Sequence, residues 1–419
     1  MSARSALAAL LLLTAAPVGS QSLDDSKRAA VDLFERGDYP AAIRVLEEAA
    51  ASDSLDAEYH YLLGYYTHYL CYDWRPVAGC DSLSDRVLDH LARAIALDPT
   101  HGNARYFIGA ERGGRARFAM ARGDWDGARA ELRAARENGA LPDWLIEYAR
   151  NTLRSCGPDA ILFAGGDAEV NPIQYLQLIE GYRTDVTLAP VALLDVPWYA
   201  RLLKRGAQGE LRAAPIEWTD EQIDAMRPYR WRSNDVEIPG AAAPGAGAAP
   251  AWTITVEPDL TGDRVTYLSA SSALLVHIVE ANRGRRPVHA TVGCPRAKLA
   301  ALEPYLQIAG LTRRMLPVKV EAATAIDDST TAALLLDRAA YENFSDVAAH
   351  DMSHVSPILQ NYRAALLQLA ASRAVAGDAA GARAVVDSMA GYMPESALPM
   401  PPQLREAIDK LRASLTRTQ

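Results

Sequence analysis

Two carboxylates in the stretch Ile161–Gly181, ILFAGGDAEVNPIQYLQLIEG, are the side chains best placed to do chemistry. A short apolar run ends at Gly165 and Gly166, and Asp167 and Glu169 follow directly. An acid pair can act as general acid and base on a glycosidic bond when its carboxyl groups lie about 5 to 9.5 Å apart. Asp167 can instead cap backbone amides at the glycine turn, as aspartate does in many turns. The sequence leaves both interpretations open.

Further polar residues are expected at the same edge of a sheet. Asn171 precedes Pro172, an N-cap and N1 pair that predicts a helix start. Open α/β sheets bind ligands where neighbouring parallel strands end, and such ends are predicted near Asp195 and Gly293. No Lys or Arg follows the glycines and the glycine-rich phosphate motifs are absent, so a sugar hydroxyl, a cation or a basic side chain suits this edge better than a nucleotide phosphate. The predicted ligand-binding residues are Gly165, Gly166, Asp167, Glu169, Asn171, Asp195 and Trp198.

Other catalytic and metal-binding patterns are weak. His350 and His354 are four residues apart, but the Glu that follows the first His in zinc proteases is missing. No Gly-x-Ser-x-Gly elbow and no Cys-x-x-Cys pair occurs, so nucleophilic catalysis and a zinc site are not predicted. The sequence therefore predicts no cofactor and no metal.

An aromatic cluster in YHYLLGYYTHYLCYDW offers a second candidate surface. Aromatic residues at helical spacing commonly pack between helices, whereas exposed ones can stack on a carbohydrate or a peptide. We predict an interaction surface here, with packing between helices as the alternative. Its members are Tyr59, Tyr61, Tyr65, Tyr66, Tyr69, Tyr72 and Trp74.

The N-terminal residues predict export. Residues 1–20 combine Arg4, an apolar run and small residues ending at Ser20, which is the pattern of a signal peptide. The apolar run is shorter than the roughly 20 residues that a transmembrane helix needs, so the protein is predicted not to span a membrane and to be periplasmic or secreted. An oxidising compartment permits a Cys71–Cys80 disulfide, with Cys156–Cys294 as a second candidate pair.

Composition limits the partners. The chain has 419 residues and a net charge of −9, from 52 acidic and 43 basic residues. An acidic chain without a long basic run does not suit nucleic acid. The expected partner is an envelope or secreted protein, with a glycan as a further candidate.

A recurring signature predicts helical hairpins on both sides of the central region. FERGDYPAAIRVLEEA (34–49), MARGDWDGARAELRAA (120–135) and AVAGDAAGARAVVDSMAGYMP (374–394) each place Gly-Asp at a turn, with small and apolar residues at fixed offsets. This spacing resembles tetratricopeptide repeats, in which glycine permits the turn between two helices. We predict helical domains of this kind over 21–154 and 326–419.

The apolar period changes between these helical regions. Short apolar runs (AILFAGG, DVTLAPVALL, RPVHATVG, RRMLPVKV) alternate with helical patterns (NPIQYLQLIEGYR, PWYARLLKRG, ASSALLVHIVEANR, RAKLAALEPYLQIAG). Alternation of strands and helices predicts a mostly parallel sheet. The predicted fold is α/β plus α: a central, mostly parallel α/β domain over 155–325 flanked by tetratricopeptide-like helical hairpins. Residues 238–252 are a low-complexity Pro/Gly/Ala loop inside that domain.

An ordered set of motifs carries a family resemblance. A Cys-x-Pro turn precedes a strand ending in Gly-Asp, a helix with Tyr-x-Gln and Glu-Gly-x-Arg, then Asp-Val and Trp-Tyr. This order resembles the soluble C-terminal part of the protein O-mannosyltransferase-like polytopic membrane proteins. The resemblance covers about 148–394, and it implies no sugar transfer here, because the family's transferase chemistry belongs to its multi-pass membrane portion. The matching positions are Cys156, Gly166, Asp167, Tyr175, Gln177, Glu180, Gly181, Arg183, Asp185, Val186, Trp198 and Tyr199.

Together these patterns predict an exported, non-enzymatic binding or assembly module that is accessory to envelope glycosylation or surface assembly. The alternative is a carbohydrate-active enzyme that uses Asp167, Glu169 and Asp195 at the carboxyl edge of the sheet.

Overall fold

The computed structural model describes residues 22–49, 55–70, 80–207, 209–240, 250–262, 264–299, 302–349 and 352–417. The predicted signal peptide, residues 1–20, lies outside these ranges. Within the described residues, no helix is both long enough and apolar enough to cross a bilayer.

Among the described residues, seven helices precede the sheet, and each Gly-Asp signature forms a turn between two helices. At Gly123 the backbone is left-handed (φ +79°), which glycine adopts without strain, and Asp124 Oδ1 accepts a hydrogen bond from the Gly127 N–H at 2.9 Å. The helical hairpins are present; their tetratricopeptide-like assignment stays a prediction. The helices are α1 (Leu23–Glu35), α2 (Tyr39–Ala49), α3 (Ala57–Leu70), α4 (Cys80–Leu97), α5 (Gly102–Ala121), α6 (Trp125–Glu137) and α7 (Asp143–Arg154).

Strands and helices then alternate, as the period of apolar residues predicts. The strands are β1 (Ile161–Ala164), β2 (Thr187–Pro190), β3 (Tyr229–Arg230), β4 (Asn234–Ile238), β5 (Trp252–Val256), β6 (Leu260–Gly262), β7 (Val265–Leu268), β8 (Val288–Thr291), β9 (Leu306–Ala309) and β10 (Thr312–Met315). The helices are α8 (Asp167–Leu178), α9 (Pro197–Arg205), α10 (Asp220–Asp224), α11 (Ala270–Asn282), α12 (Asp328–Leu335), α13 (Gln360–Val375), α14 (Ala379–Tyr392) and α15 (Pro402–Arg417).

The central sheet is mixed rather than mostly parallel. Its strand order is β2-β1-β8-β10-β9. β1 pairs in parallel with β2 and β8, but β10 runs antiparallel to both β8 and β9. The tight turn at Gly310 (φ +64°) between β9 and β10 allows only a hairpin, and a hairpin is antiparallel.

The helix predicted for RAKLAALEPYLQIAG is wrong. The segment forms short 3-10 turns at Arg296–Lys298 and Glu303–Tyr305 and then strand β9. Pro304 lacks the amide that a continuing helix needs, and the following residues pair with β10 instead. Tertiary pairing thus overrides a local helical pattern.

Two small antiparallel sheets extend the α/β region. One has the order β3-β7-β6, and the other pairs β4 with β5. The predicted low-complexity loop 238–252 begins at the last residue of β4 and ends at the first residue of β5, so its two end residues are strand residues. Residues 241–249 lie outside the described residues.

The helices at the C-terminal end pack back on the sheet. One buried cluster contains Leu145 of α7, Leu162 of β1, Leu366 of α13 and Val386 of α14. The core is therefore continuous across 154/155 and 325/326, and the predicted domain limits at those points stay predictions.

The cysteines are only partly described. Cys80 is disulfide-bonded, whereas its predicted partner Cys71 lies outside the described residues. Cys156 and Cys294 are free and buried, so the alternative pairing of these two is wrong.

Candidate functional site

The sheet-edge site is the turn after β1 together with the start of α8 and the end of β8. It contains Gly165, Gly166, Asp167, Glu169 and Gly293. Because β1 and β8 are parallel neighbours, their carboxyl ends meet, and the position of a Cβ on Gly165 would be 3.6 Å from the Gly293 carbonyl oxygen. The prediction that these strand ends share one edge is confirmed.

Glu169 lies between the two strand ends and is 3% exposed. Its Oε2 accepts hydrogen bonds from the Gly165 N–H at 2.7 Å and from Thr291 Oγ1 at 2.5 Å. Its Oε1 has no hydrogen-bond partner in the described part of the chain. Burial raises the pKa of the Glu169 carboxyl, and the hydrogen bonds from Thr291 and Gly165 oppose this shift. The carboxyl group joins β1 to β8 in the protein interior.

Two glycines make room for this carboxyl group. A Cβ on Gly165 would lie 2.9 Å from Glu169 Oε2, and a Cβ on Gly293 would lie 2.6 Å from Oε1. Neither distance is tolerated by a close-packed interior. By contrast, a Cβ on Gly166 would meet no atom within 4 Å. The carboxyl group of Glu169 therefore requires glycine at positions 165 and 293, while Gly166 is open to substitution.

Asp167 makes a long-range ion pair. Arg117 Nη2 of α5 donates to Asp167 Oδ1 at 2.9 Å, and the two side chains are only 5% and 11% exposed. Gly166 occupies the N-cap position before Asp167 and has no side chain with which to cap the helix. The prediction that Asp167 caps the turn is therefore wrong; it holds a helix of the N-terminal array against α8.

Asn171 belongs to the same contact. Its Oδ1 accepts from Arg117 Nη1 at 2.6 Å, and its Nδ2 donates to the Gly109 carbonyl at 3.0 Å. Helix α8 already begins at Asp167, so Asn171 and Pro172 lie inside it and their predicted cap role is wrong. Asn171 is 3% exposed and binds α5, which removes it from the set of available ligand-binding residues.

The structure does not bring Asp195 and Trp198 to Glu169. Asp195 is exposed on the segment between β2 and α9. Trp198 packs edge-on against Phe118 of α5 at 6.1 Å between ring centres, within the apolar seam between α5 and α9. No hydrogen bond between described residues joins either side chain to the carboxyl of Glu169, so the predicted set divides between separate environments.

Most of the predicted aromatic surface is packed. Tyr59, Tyr61 and Tyr66 are buried in α3, so the alternative of packing between helices describes these three. Tyr65 and Tyr69 are half-buried and contact each other edge to face at 5.4 Å. The remaining two members, Tyr72 and Trp74, lie outside the described residues.

The half-buried tyrosines face other aromatic rings and the sheet edge. Tyr65 lies 4.4 Å from Phe107 and 6.0 Å from His354, measured between ring centres. Burial raises the pKa of Tyr69, and the negative charge of Asp167 adds to the shift. The two candidate sites that the sequence treats separately thus come into electrostatic reach of each other. We call Tyr65, Tyr69, Phe107 and His354 the Tyr65 aromatic group.

Sequence reasoning missed several of these residues. Arg117 is 50 positions from Asp167 and lies in a helix with no local signature, so spacing could not identify it. His354 was considered only as a metal ligand with His350, which lies outside the described residues. Its ring nitrogen instead lies 3.2 Å from the Tyr61 hydroxyl. In the described part of the chain, no group of three or more His, Cys, Asp or Glu side chains could hold a metal ion.

The family motif around Arg183 is structural. The Arg183 guanidinium donates to Asp185 and to the carbonyl groups of Leu153, Cys156 and Gly157 at 2.7 to 3.1 Å. It connects the end of α7 to the beginning of β2. These matched positions therefore fix the turn before the second strand rather than forming a pocket.

The α/β region has recognisable relatives. Residues 145–236 match the family model described as TMEM260-associated domain 2. These matched residues include β1, α8, β2 and α9. Over 63 residues the chain is 36% identical to the Protein O-mannosyl-transferase TMEM260 of Mus musculus. Both matches support a relationship to the TMEM260 family. The aligned segment is 15% of this chain and 9% of the mouse protein, so the chain spans only a small part of that relative.

Proposed function

We propose that the protein is an exported, non-enzymatic binding module that is accessory to glycosylation or surface assembly. One observation carries the proposal: the acids best placed for catalysis are used by the fold. Arg117 engages Asp167 in a largely buried ion pair. Glu169 is enclosed between two strands and bonded to Gly165 and Thr291.

The relationship to the mouse O-mannosyl-transferase supports a role in glycosylation. That relative is named for transfer of mannose to protein. The separate match to TMEM260-associated domain 2 covers residues 145–236, which include Gly165, Gly166, Asp167 and Glu169 of the sheet-edge site. We propose that this chain binds an acceptor protein or its glycan and leaves the transfer to another component of the system.

The Tyr65 aromatic group is the proposed binding surface. Tyr65 and Tyr69 present rings that are apolar on their faces and polar at their hydroxyl groups, a combination that suits sugar rings and peptides. They are half-buried, so the rings are already ordered and lose little conformational entropy on binding.

A carbohydrate-active enzyme remains the second candidate, and the raised pKa of Glu169 favours it. A carboxyl group that stays protonated at higher pH can act as a general acid. Such an enzyme needs a second carboxylate opposite the first. Asp167 is held by Arg117 and Asp195 lies apart, so this candidate is the weaker one.

Binding and turnover can be measured on the same protein. We expect a mannosylated peptide to bind in isothermal titration calorimetry, and Tyr69→Ala to weaken binding about tenfold. Tyr229→Ala, a half-buried tyrosine of the small sheet, is the matched control and should bind like the wild type. Hydrolysis of a mannoside that disappears in Glu169→Gln would instead establish the enzyme.

Export is tested separately. N-terminal sequencing of the protein recovered from outside the cytoplasm should begin at Gln21, the residue after the predicted cleavage site. Recovery of the intact N-terminus from the cytoplasm alone would contradict an exported role.

A further inference from the structure

We propose that the small sheet β3-β7-β6 carries a binding site for a phosphate ester, at a distance from the Tyr65 aromatic group in the chain and independent of it. A cavity of about 410 Å³ opens on this sheet, within the range of roughly 300 to 1,000 Å³ that is usual for small-molecule sites. Its lining by described residues contains three arginines and no acidic residue. The lining residues are Arg230, Trp231, Arg232, Arg264, Val265 and Thr266.

The three guanidinium groups have no counter-charge among the residues that the structure describes. Arg230, Arg232 and Arg264 are exposed, and none makes a hydrogen bond or an ion pair with its side chain to any described residue. Two other arginines of the α/β region are engaged by acids: Arg183 binds Asp185 and Arg313 binds Glu303. Three like charges around one cavity repel each other, and an anion in the cavity removes that repulsion.

Arg264 lies in the tight turn of the β6–β7 hairpin, where Gly262 pairs with Val265 and a positive φ is usual. Arg264 has φ +66°, a left-handed conformation that glycine adopts more easily than arginine. The other described non-glycine residues with positive φ use their side chains in ion pairs: Asp159 with Arg212, Arg183 with Asp185, and Arg283 with Glu217. The side chain of Arg264 has no such partner among described residues, although its φ is also positive.

Hydrogen bonds hold the floor of the cavity in place. Trp231 Nε1 donates to the Val256 carbonyl at 2.9 Å, and Thr266 Oγ1 donates to the Trp231 carbonyl at 2.6 Å. The Trp231 N–H donates in turn to the Thr266 carbonyl at 3.0 Å. The arginines therefore project from an ordered sheet rather than from a free loop, which reduces the entropic cost of binding.

The chemistry of the lining selects the ligand. The planar guanidinium fork of arginine matches the oxygen atoms of a phosphate, which can accept two parallel hydrogen bonds. The net charge of −9 opposes contact with an extended polyanion, because long-range repulsion grows with the size of the anionic surface. A single phosphate ester, on a small metabolite or on a lipid head group, fits both observations.

Isothermal titration calorimetry of the full chain with inorganic phosphate and with glycerol 3-phosphate tests whether the phosphate of a small metabolite binds. Flotation with phosphatidylcholine vesicles, with and without phosphatidic acid, tests whether the phosphate of a lipid head group binds. We expect wild type to bind in one of the two assays, and Arg232→Gln or Arg264→Gly to weaken that binding about tenfold or more. Glycine suits the positive φ at position 264, so Arg264→Gly should keep the melting temperature of the unliganded protein.

Arg285→Gln is the matched control, because Arg285 is an exposed arginine of the same α/β region outside this cavity. It should bind phosphate like the wild type. Absence of binding in both assays, or equal weakening in Arg285→Gln and Arg232→Gln, would overturn the proposal. Phosphate binding and glycopeptide binding use different residues, so loss of one with retention of the other separates this inference from the proposed function.

Discussion

The dipeptide Gly-Asp begins both α6 and α8, but the two aspartates have different roles. Gly123 is left-handed, and Asp124 caps the helix by accepting from a backbone N–H three residues later. Gly166 has φ −91° and occupies the cap position itself, so Asp167 is the first residue of the helix. Its carboxylate accepts from Arg117 of α5 instead.

The difference separates local from long-range structure. A cap needs only the chain within one helical turn, and the same arrangement recurs where Asp378 caps α14 through Gly381 at 2.8 Å. An ion pair across 50 residues needs α5 to be packed against α8 first. The Gly-Asp dipeptide therefore caps one helix of the N-terminal array at Asp124. At the sheet edge, the aspartate of the same dipeptide joins α8 to α5 at Asp167.

Arg117→Ala should have the largest effect. It removes the hydrogen bonds from Arg117 to the Asp167 carboxylate and to the Asn171 amide oxygen in a largely buried position, and we expect the free energy of unfolding to fall by about 3 to 5 kcal/mol. Urea unfolding followed by circular dichroism measures it. Arg133→Ala, at an exposed arginine of α6, should change stability by less than about 0.5 kcal/mol. Equal effects of the two substitutions would show that the ion pair does not join the regions.

Gly293→Ala should come next. The new Cβ would lie 2.6 Å from Glu169 Oε1, and we expect a loss of about 1 to 3 kcal/mol because the buried carboxyl must move. Gly166→Ala meets no atom within 4 Å and should cost less than about 1 kcal/mol. Chemical denaturation of both variants gives the comparison, and a Gly293→Ala protein as stable as the wild type would contradict the enclosed position of Glu169.

Asp124→Ala should have a smaller, local effect. Loss of the cap of α6 should lower stability by about 1 kcal/mol, and Asp378→Ala should do the same for α14. Asp126→Ala, in the first turn of α6 but outside the cap, is the control and should cost less. Thermal unfolding of the three variants measures the difference, and a loss as large as that of Arg117→Ala would remove the distinction between the two kinds of turn.

The pH dependence of the free energy of unfolding tests whether Glu169 is buried at the sheet edge. Burial raises the pKa of folded Glu169 above its ordinary 4.5, so the folded state binds this proton more tightly than the unfolded state. The resulting stability is present below pH 4.5 and is lost as the pH rises through the raised pKa. Glu169→Gln should match the wild type near pH 4.5 and become the more stable protein at higher pH. A difference that is constant from pH 4 to pH 8 would show that Glu169 is not buried.

Much of the fold follows from patterns in the sequence. Apolar runs ended by glycine or proline predict β1, β2 and β8, and the Gly-Asp signature predicts the turns before α2, α6 and α14. The direction of β10 could not be predicted, because the helical pattern before it hides the strand β9 with which it forms a hairpin. Periodicity reports which residues are buried but not which strand lies beside which.

The sequence predicted that Glu169 and the glycines around it lie at the sheet edge, but it did not predict which residues the other members of the candidate site contact. Glu169 and the glycines around it lie at the sheet edge as expected, while Asp167 and Asn171 bind α5. Trp198 fills the seam between α5 and α9. These roles depend on Arg117 and Phe118, which no spacing rule connects to residues so far away in the chain.

The sequence by itself determined most of the helices, the buried strands β1, β2 and β8, and the capped Gly-Asp turns, since each depends on residues within a few positions of one another. Only the tertiary structure decided that Asp167 meets Arg117, that Glu169 lies between β1 and β8, and that three arginines surround one cavity. Those contacts join residues that are remote in the chain, and they form only after the helices and strands have packed against each other.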